Sequence, residues 1–503
     1  MRRYLALNHD PSPDHPENAR PQLKRALGFK IALAVVVGNV IGSGIFAKPG
    51  AIANDTGNFG LILGVWILGG VLCILGALCF AELATMMPEA GGLYVYLRHA
   101  YGKLVAFLYG WTEFLFVKPA SMGALAVIFV GSLSVSCNLP LSSLATVVAA
   151  GLLILGVAWV NVLGVLWGGQ LQLLTTIVKA VFLLLVALAP LLCIPVTGWE
   201  ITTSHYVQTT PVETPVTAQI AAVLLAVMWA YDGWHGVTPL AEEVENPQRN
   251  IPLALFGGIG ILIALYVAAN VAYHGVLSIP EMRAAGDHVA EEMLYRLAGP
   301  LGRSAVSIVI MCSTFGAINS NLLLAPRITF AMGRDGVFFR ILGRVHAKYR
   351  TPVPAILTTA TMAVLLIATV AAGKELTASI PLDSIRFDLG QKILASLRND
   401  STFTLLTNYV IFSVSVFQFF AVLSLLVLRF REPDRPRRYK TWGYPLVPLL
   451  FLVAYAWFLA QIYFSSPLES RIGIGLMALG VPVFFAYRKL SSPPTADDKP
   501  KVA

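Results

Sequence analysis

The chain has 503 residues, of which 56% are hydrophobic and 13% are charged, with 36 Lys and Arg against 27 Asp and Glu. A soluble protein carries about 25% charged residues, and no soluble fold has enough interior for this much apolar side chain. The composition excludes a set of soluble domains and predicts an all-α polytopic membrane protein, so the net charge of +9 has to be read loop by loop before nucleic acid is considered.

A membrane helix takes about 20 mostly apolar residues. Twelve spans are predicted, at 30–52, 60–87, 104–133, 141–161, 169–193, 216–241, 252–275, 303–333, 353–372, 403–428, 443–465 and 471–488. The runs are too long for barrel strands, which alternate over about 10 residues. An even number of spans puts both termini on one side. With residues at or near a span end counted in the adjacent loop, the loops and tails of that side hold 24 of the 36 Lys and Arg, the opposite side nine, and the span interiors three. This bias places both termini in the cytoplasm and a multi-pass chain in the cell membrane, and it accounts for the basic charge without nucleic acid. The run Arg429 to Lys440 (RFREPDRPRRYK) is either ordinary positive-inside charge or a contact with anionic lipid.

Residues 1–29 form a polar, proline-containing tail with no removable signal peptide. Two long outer loops carry IPEMRAAGDHVAEEMLYRLAG (279–299) and SIRFDLGQKILASLRND (384–400), each spaced like a surface helix, and Asn399-Asp400-Ser401 is a glycosylation triplet. Of the five cysteines, four lie in apolar runs and Cys137 lies in a short outer loop. No CxxC spacing occurs, so neither a disulfide framework nor a metal site is expected, and no motif calls for a cofactor.

Two spans are interrupted near their middles, by Gly42-Ser43-Gly44 within GNVIGSGIF (38–46) and by Asp232-Gly233 within VMWAYDGWHG (227–236). Gly42 and Gly233 lie 191 residues apart, in the first helix of each five-helix half. Gly38-x-x-x-Gly42 alone fits tight helix packing. The matched break in the sixth span points instead to a binding site at membrane depth. A half-helix starting after Ser43 offers the N–H groups of Ser43, Gly44 and Ile45, next to Ile41 and Gly42, to a carboxylate. A half-helix ending near Tyr231 offers the carbonyls of Trp229, Ala230 and Tyr231 to an ammonium. A ligand with both groups on one carbon is an α-amino acid.

Five long motifs fall in order along the chain: GNVIGSGIF, FAELATMMPEAGGLYVYLRHAYG (80–102), YDGWHGVTPLAEEVENPQRNIP (231–252), STFGAINSNLLLAPRITFAMGRDG (313–336) and REPDRPRRYKTWGYPLVPLL (431–450). Over residues 26–490 the sequence resembles the amino acid–polyamine–organocation superfamily, and within it the L-type amino acid transporter branch. The resemblance implies two inverted five-helix repeats (30–193 and 216–428) of the LeuT-like kind, two extra helices (443–488), and a C-tail (489–503). It also implies transport of amino acids or related amines by alternating access.

Charges inside spans are costly and mark function. Lys179 lies ten residues into the fifth span. By itself it is either a structural lock onto neighbouring carbonyls or a proton exchanger. The resemblance matches it to a fifth-helix lysine that stands, in sodium-independent members, where sodium-coupled relatives hold a cation. Lys118 precedes Pro-Ala-Ser, where related transporters carry a basic residue. It is expected to form an ion pair rather than to touch substrate, and Glu113, about 140° around an α-helix from it, is expected to be a poor partner. Asp232 holds the substrate amine, binds a proton or caps the half-helix that follows. His235 lies one turn further on and is read as packed. Glu82 and Arg327, near the inner ends of the second and eighth spans, serve the inner gate or proton transfer. Trp229 roofs the pocket by analogy with an aromatic gate in the family. In animal relatives a cysteine near Cys137 bonds to a single-span glycoprotein partner; Cys137 is read as unpaired, so an accessory subunit is not favoured.

The sequence thus points to a sodium-independent carrier of neutral amino acids in a lipid bilayer, working by exchange or with protons. A polyamine or cationic antiporter and a non-transporting sensor of the same fold are the alternatives. A polyamine has no carboxylate for the first break, and tails of 29 and roughly 15 residues leave no room for a sensor's output domain. An enzyme is not expected: HExxH and Gly-x-Ser-x-Gly are absent, and no carboxylate pair is expected to face a water site.

Overall fold

The structure, a computed structural model, describes residues 22–491 except 198–199, 378, 381–389, 392–393, 396–409 and 466. The Asn399 triplet and most of the second loop helix lie outside the described residues.

The first span is two helices, α1 (Phe29–Val40) and α2 (Gly44–Asp55), separated by Ile41–Ser43. The second span is α3 (Phe59–Met86), started by Asn58, whose side chain accepts from Leu61 N–H at 2.9 Å. A short α4 (Leu93–Tyr101) leads into the third span, which is α5 (Lys103–Thr112), a π-turn (Glu113–Val117) and α6 (Lys118–Ser136). The fourth and fifth spans are α7 (Ser143–Leu163) and α8 (Val165–Thr197). The sixth is α9 (Val216–Tyr231), the seventh α10 (Pro247–Val276). α11 (Ile279–Ala285) and the start of α12 (Val289–Arg334) form the surface helix expected of residues 279–299, opened by a Ser278/Glu281 capping box. Gly299, at φ 64°, breaks α12 before its membrane portion, the eighth span. The last four spans are α13 (Val353–Thr377), α14 (Val410–Arg431), α15 (Leu446–Ser465) and α16 (Pro467–Ser491).

Eleven of these segments are long and apolar enough to cross a membrane, and α9 is a shorter apolar helix, so the twelve spans read from the sequence are present. The sixth differs in form. Helix stops at Tyr231, and residues 232–241 run through turns and a single 3₁₀ turn (Thr238–Leu240) rather than a second half-helix. Asp232 therefore has no regular helix to cap.

Among the described residues the apolar side chains gather into three clusters. The largest centres on α1, α2, α3, α9 and α10, the second on α6, α7, α12 and α13, and a small third one joins Val117, Ala120 and Ala124 of the third span to Val414 of α14. The two broken spans belong to the largest cluster.

Candidate functional site

The two breaks face each other. Asn39, at the end of α1, donates from Nδ2 to Gly233 O at 2.8 Å. Gly233 has φ +99°, and a Cβ there would collide with the Asn39 amide, so the turn needs glycine. A Cβ on Gly44 would lie 2.9 Å from Ala230 Cα. The Tyr266 hydroxyl, on α10, lies 3.1 Å from both Val40 O and Ala230 O, so one side chain serves the C-terminal ends of both broken helices.

At the start of α2 the first return bond runs from Phe46 N–H to Ser43 O, 3.1 Å, which leaves Ser43, Gly44 and Ile45 with N–H groups that have no partner within the helix. Ile41 and Ile45 are fully buried, while Gly42, Ser43 and Gly44 line a cavity of about 120 Å³. A single water needs roughly 10–15 Å³ of such volume, so the cavity admits several waters or one small solute. Trp229, Ala230, Asp232 and Gly233 line its other side. Lys48 Nζ lies 5.9 Å from the Trp229 ring centroid, one turn along α2 from Gly44.

The carbonyls at the end of α9 are less available than expected. Asp232 N–H donates to Trp229 O at 3.2 Å, and Ala230 O faces the Tyr266 hydroxyl. Tyr231 O is the one of the three left without a donor among the described residues. The Tyr231 ring is fully buried, against Trp66 and Tyr266. Asp232 Oδ1 accepts from Gln418 Nε2 at 3.1 Å, and Gln418 Oε1 accepts from the Tyr455 hydroxyl at 2.7 Å. Gln418 also sits 3.4 Å from His235 Nδ1, so His235 is part of this polar chain and lines the cavity.

Lys179 is fully buried on α8 and donates to Gly38 O at 2.7 Å and Ile41 O at 2.9 Å, while Ser313 Oγ donates to Ile41 O at 3.0 Å. Its ammonium thus meets the negative end of α1. Gly316 on α12 packs against its chain: a Cβ there would lie 3.0 Å from Lys179 Cε. Lys179 therefore stands between the first, fifth and eighth spans, beside the break rather than in the cavity.

Lys118 does have Glu113 as its partner, with Nζ 3.7 Å from Oε2. The expectation that 140° separates them assumed an α-helix. The π-turn Glu113–Val117 carries more residues per turn and brings positions five apart onto one face. Glu113 and Asp232 both line the cavity, so two carboxylates face it where none was expected to pair.

Glu82 is not among the residues that line the cavity. Arg429 binds it bidentately at 2.8 and 2.7 Å, Arg437 lies 3.2 Å away, and Thr441 N–H donates to it at 2.7 Å. The basic run 429–440 is thus partly spent on the protein itself. Arg327 is paired with Glu243 at 2.7 and 3.1 Å, both fully buried. Glu243 O also accepts from Ala26 and Leu27 N–H, each at 3.0 Å, which seals the N-terminal segment against the loop after the sixth span. Around this pair Arg334 binds Glu242 at 2.9 Å, and Arg98 binds Asp335 at 2.6 Å and Glu89 at 2.8 Å. These ion pairs and backbone bonds tie the N-terminal segment, the loop after α3, the loop after the sixth span and the end of α12 to one another. Cys137 is exposed in the loop after α6.

Tyr266, Asn39, Gln418 and Glu243 had gone unread in the sequence. Tyr266 and Gln418 sit alone in apolar helices and give no local sign. Glu243 was legible as a buried partner, because Arg327 needed an acid and the Glu242-Glu243 pair follows the sixth span.

Residues 27–495 match the family model described as amino acid permease. The chain belongs to the amino acid permease family. It is 31% identical over 470 residues to the serine/threonine exchanger SteT of Bacillus subtilis, covering 93% of this chain and 98% of that one. It is 31% identical over 497 residues to the large neutral amino acids transporter small subunit 2 of Mus musculus (96% and 86%). It is 30% identical over 478 residues to the Asc-type amino acid transporter 1 of Mus musculus (93% and 82%). As a permease, it has its two broken spans, its cavity and its buried lysine in one connected region.

Proposed function

We propose that this permease exchanges neutral amino acids across a cell membrane without sodium, by alternating access, with both termini in the cytoplasm. The observation that carries the reading is the pair of broken spans facing one small cavity. The start of α2 supplies N–H groups for a carboxylate. Asp232, on the cavity wall, supplies an acceptor for an ammonium, while Tyr231 is not among the residues that line the cavity. Lys179 supplies a fixed cation at the end of α1, where a second cation would be repelled by several kcal/mol even at an effective dielectric near 20. Relatives named as an exchanger and as amino acid transporters align along nearly the whole chain.

A cationic substrate is the second reading, because Glu113 and Asp232 outnumber Lys118 on the cavity wall. Cys137 is exposed, yet the chain is read as working without a single-span partner. The test is uptake of a labelled amino acid panel into proteoliposomes containing this chain alone. Uptake is expected to require substrate on the opposite side and to be equal in sodium and in choline. A steep rise in sodium refutes the lysine's role as cation. Uptake without opposing substrate that follows an imposed pH gradient replaces exchange with proton coupling. Better uptake of lysine or arginine than of neutral amino acids selects the cationic reading.

A further inference from the structure

The cavity has two unlike walls. One is the pair of helix breaks, whose backbone groups suit the zwitterionic head of an amino acid. The other is built from the third and eighth spans by Glu113, Lys118, Ser121, Ala124, Leu125 and Asn321. A head bound at the breaks turns its side chain toward this second wall.

That wall is polar in a specific way. Glu113 is 4% exposed, and its Oε2 has no hydrogen-bond donor among the described residues. Its nearest cation, Lys118, stands at 3.7 Å, close enough to balance the charge and too far for a hydrogen bond. The pair is neutral overall and keeps hydrogen-bonding capacity on both members. Asn321 Nδ2 is used by Ala317 O at 3.0 Å, so its carbonyl oxygen is the end left for a ligand. Ser121, one turn beyond Lys118, adds a hydroxyl to the same wall. A buried acceptor left without a donor is costly, and a ligand that supplies the donor recovers that cost. A methyl group in the same place does not.

We propose that Glu113, held on the π-turn beside Lys118, is a specificity-determining residue that accepts a hydrogen bond from the substrate's side chain. The pocket then takes small neutral amino acids whose side chains carry a hydroxyl or amide, in preference to aliphatic ones of the same shape. The inference rests on the carrier reading above.

The test uses isosteric pairs in proteoliposomes of the full chain, competing against the best exchanged labelled amino acid: L-threonine against L-valine, and L-serine against L-2-aminobutyrate. The hydroxyl member is expected to compete at least about tenfold better, since a site built to bond a hydroxyl rejects the analogue without it. Glu113→Ala is expected to cut that ratio to roughly threefold or less, whereas Glu113→Gln, which retains an acceptor oxygen, keeps most of it. A purely structural role for Glu113 lowers both competitors alike and leaves the ratio unchanged, which overturns the proposal. Should Glu113→Ala abolish exchange, Ser121→Ala must narrow the ratio instead, and an unchanged ratio there overturns it too. Equal competition by threonine and valine in the unmodified chain, or better competition by lysine than by threonine, also overturns it. A chain that exchanges no amino acid at all fails the carrier reading. A chain that exchanges valine as well as threonine fails this inference alone.

Discussion

Gly44 packs against the sixth span, with room for no side chain between it and Ala230. Gly44→Val forces the two breaks apart and covers the N–H groups at the start of α2. Exchange is expected to fall below detection while the protein still reaches the membrane. Near-normal affinity in that variant would remove the carboxylate from this site. Amino acid amides should compete far worse than the free acids for the same reason. Lys179→Ala leaves Gly38 O with no donor and Ile41 O with Ser313 only. An unmet buried carbonyl costs about 1–3 kcal/mol. A drop in turnover of roughly tenfold or more, without any gain of sodium dependence, is the expected result. The glycines and the lysine were legible because each is anomalous in an apolar run. Tyr266 was not, because a tyrosine in a membrane helix looks like ordinary packing until the two carbonyls it serves are brought together from spans one and six.

Among the elements, the π-turn is where sequence reasoning failed. Glu113 and Lys118 were both noticed, and only the assumed period kept them apart. Nothing local in EFLFVK marks the change of period. Deleting Leu115 restores the α-helical period and turns α6 by about 100° relative to α5. Ser121, Ala124 and Leu125 then leave the cavity. The expected outcome is a chain that can be purified and melts cooperatively but exchanges nothing. Retained exchange would show that the wall does not matter. The sixth span failed in a related way: its apolar composition continued past Gly233, so a second half-helix was expected where turns occur. The ion pairs on the terminal side make a separate prediction. The nearby His99, 3.9 Å away, and Arg98, which donates to it at 2.8 Å, hold the Glu89 carboxyl at about 2. A lowered value stabilises above the unfolded carboxyl's range, near 4.3, and the stabilisation is lost as pH falls toward the lowered value. Between about pH 5 and 8 Glu89 stays ionised, so any pH response of exchange in that window is expected to survive Glu89→Gln.

Across the whole molecule, the cavity is bordered by Val40 and Ala230 of the largest apolar cluster and by Ala124 and Val414 of the smallest, and the buried Arg327–Glu243 pair joins the eighth span to the loop after the sixth. Removing one member of a buried pair costs about 3–5 kcal/mol. Glu243→Gln is therefore expected to favour the arrangement open toward the termini. A cysteine introduced at Leu27, buried against this loop, should then react faster with a membrane-impermeant thiol reagent applied from the terminal side. Equal rates in the two backgrounds would exclude a gating role for the pair. The number of spans and the facing breaks were legible at this scale, since length, hydropathy and paired glycines survive without coordinates. The network of ion pairs on the terminal side was not, because it is assembled from residues such as Ala26, Glu89, Glu243 and Asp335, which lie far apart along the chain.

The proposed role of Lys179 as a fixed cation has one more consequence. A dissociable cation can be left behind on the far side of a membrane and so brings the energy of its gradient to each cycle. A cation bonded to the polypeptide makes the round trip with the carrier and brings none. With one amino acid moving each way, the carrier then drives the inside-to-outside ratios of all its substrates toward a common value. It trades one pool against another, and it accumulates an amino acid only as far as a second one has already been accumulated by other means.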